Sequence, residues 1–268
     1  MGDKDFSTIT YELKDRVAWI FLNRPEVHNA FNSTMITELL RVFRAVKEDD
    51  RLRVAVLTGN GKSFCAGADL NWMREVVNYS FEQNLEESRQ IADLHELIYT
   101  LPKPTVAMVN GTAIGGGTGF LSACDIAVSS EGAKFGLSEV KLGLVPAAIS
   151  PYVVRKIGES HARQYFLTGT RITALRACEI GLVNEVVSRD ALKSTVNNTV
   201  EQLLTSGPEA LANCKDLLFQ VPRMGMEEAK EYTALMIAKL RISAEGQEGM
   251  AAFLEKRKPT WAKIDKEE

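Results

Sequence analysis

No apolar run in this chain reaches the ~20 residues that a bilayer-spanning helix needs, so no membrane partner is expected. The opening Met1-Gly2-Asp3-Lys4-Asp5 lacks the apolar core of a signal peptide, and its acidic residues are unlike a transit peptide. A cytoplasmic location is the expectation. An excess of positive charge is also missing, since the net charge is −3. Nucleic-acid affinity depends on clustered Lys and Arg, so no nucleic-acid partner is expected. The short Lys256-Arg257-Lys258 run reads as solvated. Histidine is scarce: His28, His95 and His161 stand far apart, and no metal is expected. The four cysteines, Cys65, Cys124, Cys178 and Cys214, show no C-x-x-C spacing and read as reduced thiols. Cys65 has no histidine beside it in sequence, so it reads as a small buried hydrophobe.

Two nucleotide fingerprints fail on spacing. The dinucleotide pattern G-x-G-x-x-G, started from Gly115 and Gly117, meets Phe120 where its third glycine belongs. The phosphate loop that would end at Gly61-Lys62-Ser63 has Val56 where its first glycine belongs. What is present is a glycine cluster, Gly111 to Gly119, between an apolar strand, Thr105 to Val109, and a helical pattern from Phe120. Glycine lets backbone approach a ligand closely. A helix start leaves N–H groups without intrahelical partners, at the positive end of the dipole. The cluster therefore suits a partial negative charge on an oxygen. A second segment, Ser63-Phe64-Cys65-Ala66-Gly67-Ala68-Asp69-Leu70, follows another apolar strand, Val54 to Leu57. Two such segments could each present one amide to the same carbonyl oxygen, as in an oxyanion hole.

With both segments in place the chain resembles the crotonase family, the enoyl-CoA hydratase/isomerase superfamily. The matching pieces are Leu22-Asn23-Arg24-Pro25 with Asn29-Ala30-Phe31, then Phe64 to Leu70, and Asn110-Gly111 with Gly115-Gly116-Gly117. Cys124-Asp125, Phe135-Gly136-Leu137-Ser138-Glu139, Leu142-Gly143, Leu167-Thr168-Gly169 and Gly181-Leu182-Val183 continue the series in order. The resemblance implies an acyl-CoA substrate and a thioester enolate held by the amides of Ala68 and Gly116. It places Ala66, Asp69 and Leu70 beside the CoA moiety and Val27 near the same ligand, with Gly115 and Gly119 also among the substrate-binding positions. The alternative for Val27 and Leu70 is ordinary core packing. No cofactor is implied, because coenzyme A arrives as part of the substrate.

The same resemblance frames the acid–base question. Many family hydratases carry two glutamates, one two positions after the glycine triplet and one in the later F-G-x-x-E segment. Here the first position is Gly119, and the second is Glu139. The mostly apolar run around Glu139 suits a partly desolvated carboxyl, whose pKa burial raises. One carboxylate suffices to carry a proton between C2 and C4, which favours a 3-enoyl-CoA to 2-enoyl-CoA isomerase. The Leu144 to Gly158 stretch, the His28-Asn29-Ala30 run and glycine at 119 resemble hydratases of branched or carboxylated enoyl-CoAs, such as 3-methylglutaconyl-CoA. Hydratase is therefore the leading expectation, isomerase the second, and a non-catalytic acyl-CoA binder the third. A wider pocket at Gly119, admitting a branched acyl group, is the accompanying expectation.

Strands are expected at 9–13, 16–23, 52–58, 104–110, 124–130 and 183–187, and helices at 33–47, 81–100, 117–123, 151–157, 160–167, 173–180 and 190–206. Strands alternating with helices indicate an α/β fold, which the resemblance sharpens to a spiral of ββα units. Beyond Ser206-Gly207-Pro208 the pattern is all-helical, at 208–220, 226–241 and 245–257. The expected division is a core over 1–206 that holds the acyl-CoA site and a helical region over 207–268. In the resembling family such helices build trimers, often paired into hexamers, so a homotrimer or a dimer of trimers is expected.

Overall fold

The computed structural model describes residues 6–262. The N-terminal stretch Met1–Asp5, on which the targeting expectation rests, and the end of the helical region, 263–268, lie outside them. The chain opens with an antiparallel pair, β1 (Ile9–Lys14) and β2 (Val17–Leu22), followed by α1 (Ser33–Glu48). Three ββα turns come next. The first is β3 (Val54–Gly59) and β4 (Ser63–Cys65) with α2 (Leu70–Val76) and α3 (Phe81–Thr100). The second is β5 (Thr105–Val109) and β6 (Thr112–Ile114) with α4 (Gly116–Ala123). The third is β7 (Ile126–Ser130) and β8 (Lys134–Gly136) with α5 (Ser150–Thr168). Then follow β9 (Ile172–Thr173), α6 (Ala174–Glu179), β10 (Glu185–Val187) and α7 (Leu192–Leu204). Among the described residues three further α-helices follow: α8 (Pro208–Gln220), α9 (Met226–Ile242) and α10 (Ala244–Leu254).

Each turn of this spiral gives one strand to each of two sheets. The six-stranded sheet runs β1-β2-β3-β5-β7-β10, and the four-stranded sheet runs β4-β6-β8-β9. Both faces of the larger sheet are covered. Val17, Val54, Val56, Val106 and Val128 pack under Leu192, Val196, Val200 and Leu204 of α7, which recur every fourth residue along one helix face. The alternate residues, Ala18, Ile20, Leu22, Ala55, Leu57, Ala107 and Val109, point into the main core with α1. Burial on both faces is why these strands read as continuous apolar runs.

Capping and spacing account for the long helices. α3 starts at a capping box in which Ser80 and Gln83 satisfy each other's backbone amides. α1 starts at Asn32, whose side chain accepts from the Met35 amide, a cap typically worth about 1 kcal/mol. α5 contains Gly158 at φ 70 and ψ 163, which breaks it where two helices were expected. Sequence reading missed β4, β6, β8, β9 and α2. These strands are two or three residues long, too short for an alternation to register. They carry the site.

Candidate active site

The site is built from loops where the two sheets meet. After β2 the chain turns through Pro25–Val27, and His28 and Asn29 then take left-handed φ values of 55 and 57. The buried Asn29 side chain fixes this turn. Its Oδ1 accepts from the Arg24 amide at 2.8 Å, and its Nδ2 donates to the Asn60 and Ser63 carbonyls, each at 2.9 Å. The same turn then pins the segment after β4. The Ala66 amide donates to His28 O at 3.0 Å, Phe31 N donates to Gly67 O at 2.8 Å, and Asp69 N donates to Phe31 O at 2.8 Å. The Ala68 amide, held between these bonds, donates to no acceptor among the described residues.

The second amide comes from the glycine cluster. Gly115 turns at φ 53 and donates to Gly136 O at 2.8 Å. Gly116 opens α4, and its amide has no acceptor among the described residues either. The fit between the two segments explains the glycines. A Cβ on Gly117 would strike the Cys65 carbonyl and lie 2.8 Å from Cys65 Cβ, and one on Gly116 would lie 2.6 Å from the Phe31 ring. Parallel pairing of β4 with β6, and of β6 with β8, brings both segments to the same end of the small sheet. The buried Thr118 hydroxyl, within reach of Ala113 O at 2.9 Å and Gly136 O at 3.1 Å, ties α4 to the ends of β6 and β8.

Glu139 follows β8 by three residues and starts a short 3-10 turn, Glu139–Leu142. Its Oε1 lies 3.1 Å from the point where a Cβ on Gly115 would stand. Its Oε2 is buried and has no hydrogen-bond partner among the described residues. Burial raises the carboxyl pKa above 4.5, opposed by a hydrogen bond to its own backbone. A half-buried carboxyl therefore stands beside Gly115, in the segment that carries one of the two unspent amides. Such a group can take and return a proton next to a polarised carbonyl.

The remaining expected positions separate. Val27 and Ala66 are half-buried and adjoin through the His28 turn. Leu70 is 70% exposed, which removes the core-packing alternative for it. Asp69 does not offer its carboxylate to a ligand. It is 4% exposed, caps α2 through the Asn71 and Trp72 amides, and pairs with Arg24 at 2.7 Å. Burial opposes its ionisation, but these hydrogen bonds hold its carboxyl below the usual range. The wider pocket expected at Gly119 needs correction. It is buried, and a Cβ there would run into Ile149 Cγ2 and lie 2.6 Å from His95 Nε2. Glycine at 119 therefore does not widen a pocket, because two larger side chains fill the space. Cys65 is fully buried, and desolvation pushes its thiol up to about 12, far from a nucleophilic thiolate.

Two contributors escaped sequence reading. Thr118 sits inside the glycine cluster, where the glycines drew attention. His95 lies on α3, four residues after Ile91 in a helical pattern that offers no hint of its target. A cleft of about 480 Å³ opens elsewhere, between α3, α5 and α8. One ion pair is already made there, with Lys215 Nζ 2.7 Å from Asp125 Oδ2. It lacks the combination of free donors and unpaired acid found at Glu139.

Comparison with known proteins agrees with this geometry. A family model described as enoyl-CoA hydratase/isomerase matches residues 12–264. A 2,3-dehydroadipyl-CoA hydratase of Escherichia coli is 32% identical over 94% of this chain and 98% of its own length. An (E)-benzylidenesuccinyl-CoA hydratase of Thauera aromatica is 32% identical over 94% of this chain and 98% of its own. A crystal structure of an enoyl-CoA hydratase from Shewanella pealeana superposes with a TM-score of 0.94 at 40% identity, covering 97% of both chains. With its spiral of ββα turns and a match across nearly its whole length, the chain belongs to the enoyl-CoA hydratase/isomerase family.

Proposed function

We propose that this enzyme adds water across the double bond of a 2-enoyl-CoA, through a thioester enolate held by the Ala68 and Gly116 amides. The observation that carries the reading is the buried, unpartnered Glu139 carboxyl beside Gly115, within the segment that supplies the second amide. A mere binder of acyl-CoA would gain nothing from that acid, whose burial costs stability. The water oxygen bonds C3, and the π electrons move onto the thioester oxygen. The water proton goes to Glu139, which delivers a proton to C2 as the enolate collapses. No cofactor enters beyond the coenzyme A of the substrate. Relatives named for hydrating dehydroadipyl-CoA and benzylidenesuccinyl-CoA support a carboxylated or branched acyl group, such as 3-methylglutaconyl-CoA.

The single carboxylate favours one second reading, isomerisation of a 3-enoyl-CoA by Glu139 alone. Absorbance of the conjugated thioester separates the two. Hydration of a 2-enoyl-CoA lowers it, and isomerisation of a 3-enoyl-CoA raises it. The expected result is a fall with 3-methylglutaconyl-CoA or another 2-enoyl-CoA. A rise with a 3-enoyl-CoA, with no fall on any 2-enoyl-CoA, would establish the isomerase.

We also propose that 207–268 forms a self-association region. α9 is 17 residues long and buries none of them, and Met226, Ile242, Phe253 and Leu254 are 84%, 80%, 83% and 78% exposed. An apolar surface of this kind marks an interaction site. Sedimentation of the full chain is expected to give a trimer or a dimer of trimers, and a monomer at micromolar concentration would refute it. Among the described residues no helix is long and apolar enough to cross a membrane. The four unpaired thiols support a reducing, cytoplasmic setting.

A further inference from the structure

The Ala68 and Gly116 amides come from different turns of the spiral. They can polarise one oxygen together only if both lie about 2.7–3.1 Å from it, so the gap between the two turns has to be held to a narrow window. One residue touches both. Phe31, between β2 and α1, is 5% exposed. Its backbone brackets the first amide. Phe31 and Ala68 form a parallel bridge, in which Phe31 N donates to Gly67 O and Asp69 N donates to Phe31 O, each at 2.8 Å. Its ring lies against the second. Cε1 and Cζ of Phe31 stand 2.6 and 2.7 Å from the point where a Cβ on Gly116 would be.

The same ring is wedged between the helices that begin at the two amides. α2 starts just after Ala68, and α4 starts at Gly116. Trp72 of α2 meets the Phe31 ring edge-on, with centroids 5.7 Å apart and planes at 63°. Phe120 of α4 meets it in the same way, at 5.5 Å and 61°. Edge-to-face contact at this spacing is a preferred aromatic geometry. Both outer rings are braced by α3. Trp72 Nε1 donates to Glu87 Oε1 at 3.1 Å, and His95 stacks on Phe120 at 5.1 Å. A close-packed interior of this kind compresses little and passes strain on. The thickness of the side chain at 31 therefore fixes how far apart the two helix starts stand, while its backbone bonds fix the angle of the Ala68 segment.

We propose that Phe31 is a positioning residue that sets the separation of the Ala68 and Gly116 amides, its ring serving as the spacer between α2 and α4. It acts through the two amides and takes no part in proton transfer. This inference rests on the two-amide reading of the site, and it holds for hydration and isomerisation alike.

Matched substitutions in the full-length enzyme test it. Phe31→Ala removes the spacer, and Phe31→Leu thins it while keeping an apolar side chain. Phe43→Leu makes the same change to a buried ring on α1 and serves as the control for lost packing. At a temperature where all variants are folded, Phe31→Ala is expected to lower kcat by about 10²-fold, as loss of one donor would. Phe31→Leu is expected to lower it by about tenfold, and KM should stay within about threefold in both. Phe43→Leu is expected to lower the melting temperature as Phe31→Leu does and to leave kcat within about threefold of wild type. The infrared stretch of the thioester carbonyl reads the donors directly, in a saturated acyl-CoA isotope-labelled at that carbon. Wild type is expected to lower its frequency on binding, Phe31→Leu to return it part of the way to the solution value, and Phe43→Leu to keep it at the wild-type value. Wild-type turnover and stretch in folded Phe31→Leu would overturn the proposal. So would an equal fall of kcat in both Leu variants with the stretch unmoved, which would mark Phe31 as packing alone. Wild-type enzyme that binds the acyl-CoA and leaves the stretch at its solution value would remove the two-amide reading first, and this inference with it.

Discussion

Replacing Glu139 by glutamine is expected to lower turnover by about 10³-fold, the middle of the range for a positioned acid–base group. Glutamine has the same size and reach, but its amide cannot take a proton from water or return one to C2. Acyl-CoA binding should change little, because the proposed hold on the thioester is main chain. The same substitution is expected to raise the melting temperature. Burial lifts the Glu139 pKa above its ordinary 4.5 in the folded state. A folded-state pKa above the unfolded value means that the group's contribution to stability is intact below about 4.5 and is lost as pH rises through the higher folded value. Wild type therefore loses stability relative to Glu139→Gln across that window and stays behind it at pH 7. Scanning both proteins from pH 4 to pH 8 checks the sign. A variant that is less stable at neutral pH, or turns over normally, would show that Glu139 serves the fold rather than the chemistry.

Gly117→Ala is expected to be the most damaging single-carbon change in the site. The added methyl would strike the Cys65 carbonyl and stand 2.8 Å from Cys65 Cβ. Cys65 ends β4, three residues before Ala68, so relief of the clash pushes α4 away from the segment that carries the first amide. Losing one oxyanion donor typically costs about 2.7–4 kcal/mol of barrier, or 10²–10³ in kcat. Overpacking of a tight contact adds about 1–3 kcal/mol of lost stability. Gly132→Ala is the control, since nothing lies within 4 Å of a Cβ there. Paired measurement of kcat and melting temperature should show both falling for Gly117→Ala and neither for Gly132→Ala. Equal behaviour of the two variants would mean that the close approach of α4 and β4 does not set the site.

The contrast between α3 and the small sheet shows what a sequence can disclose here. α3 was legible because its apolar residues recur at helical spacing, and its ends fall where expected, at Phe81 and Thr100. β4, β6 and β8 have three residues each, and what makes them strands is pairing with one another across some fifty or twenty residues of chain. No local pattern encodes that. The site divides along the same line. The two segments of close backbone approach were visible through small residues and glycine, while Ala68 and Gly116 within them came from the family resemblance. Glu139 was visible through the family's segment. Asp69 matched that segment too, yet its side chain turned to Arg24 and the start of α2, a choice set by an arginine forty-five positions earlier in the chain. At Gly119 the absence of a side chain suggested space, while the fold fills that space with Ile149 and His95 from two other elements.

The most direct measurement is a crystal structure of the enzyme with a saturated acyl-CoA bound. The thioester oxygen is expected within about 2.7–3.1 Å of both the Ala68 and the Gly116 nitrogen, with the Glu139 carboxyl against the neighbouring carbon. A carbonyl out of reach of both nitrogens, or a Glu139 side chain turned to bulk water, would contradict the account.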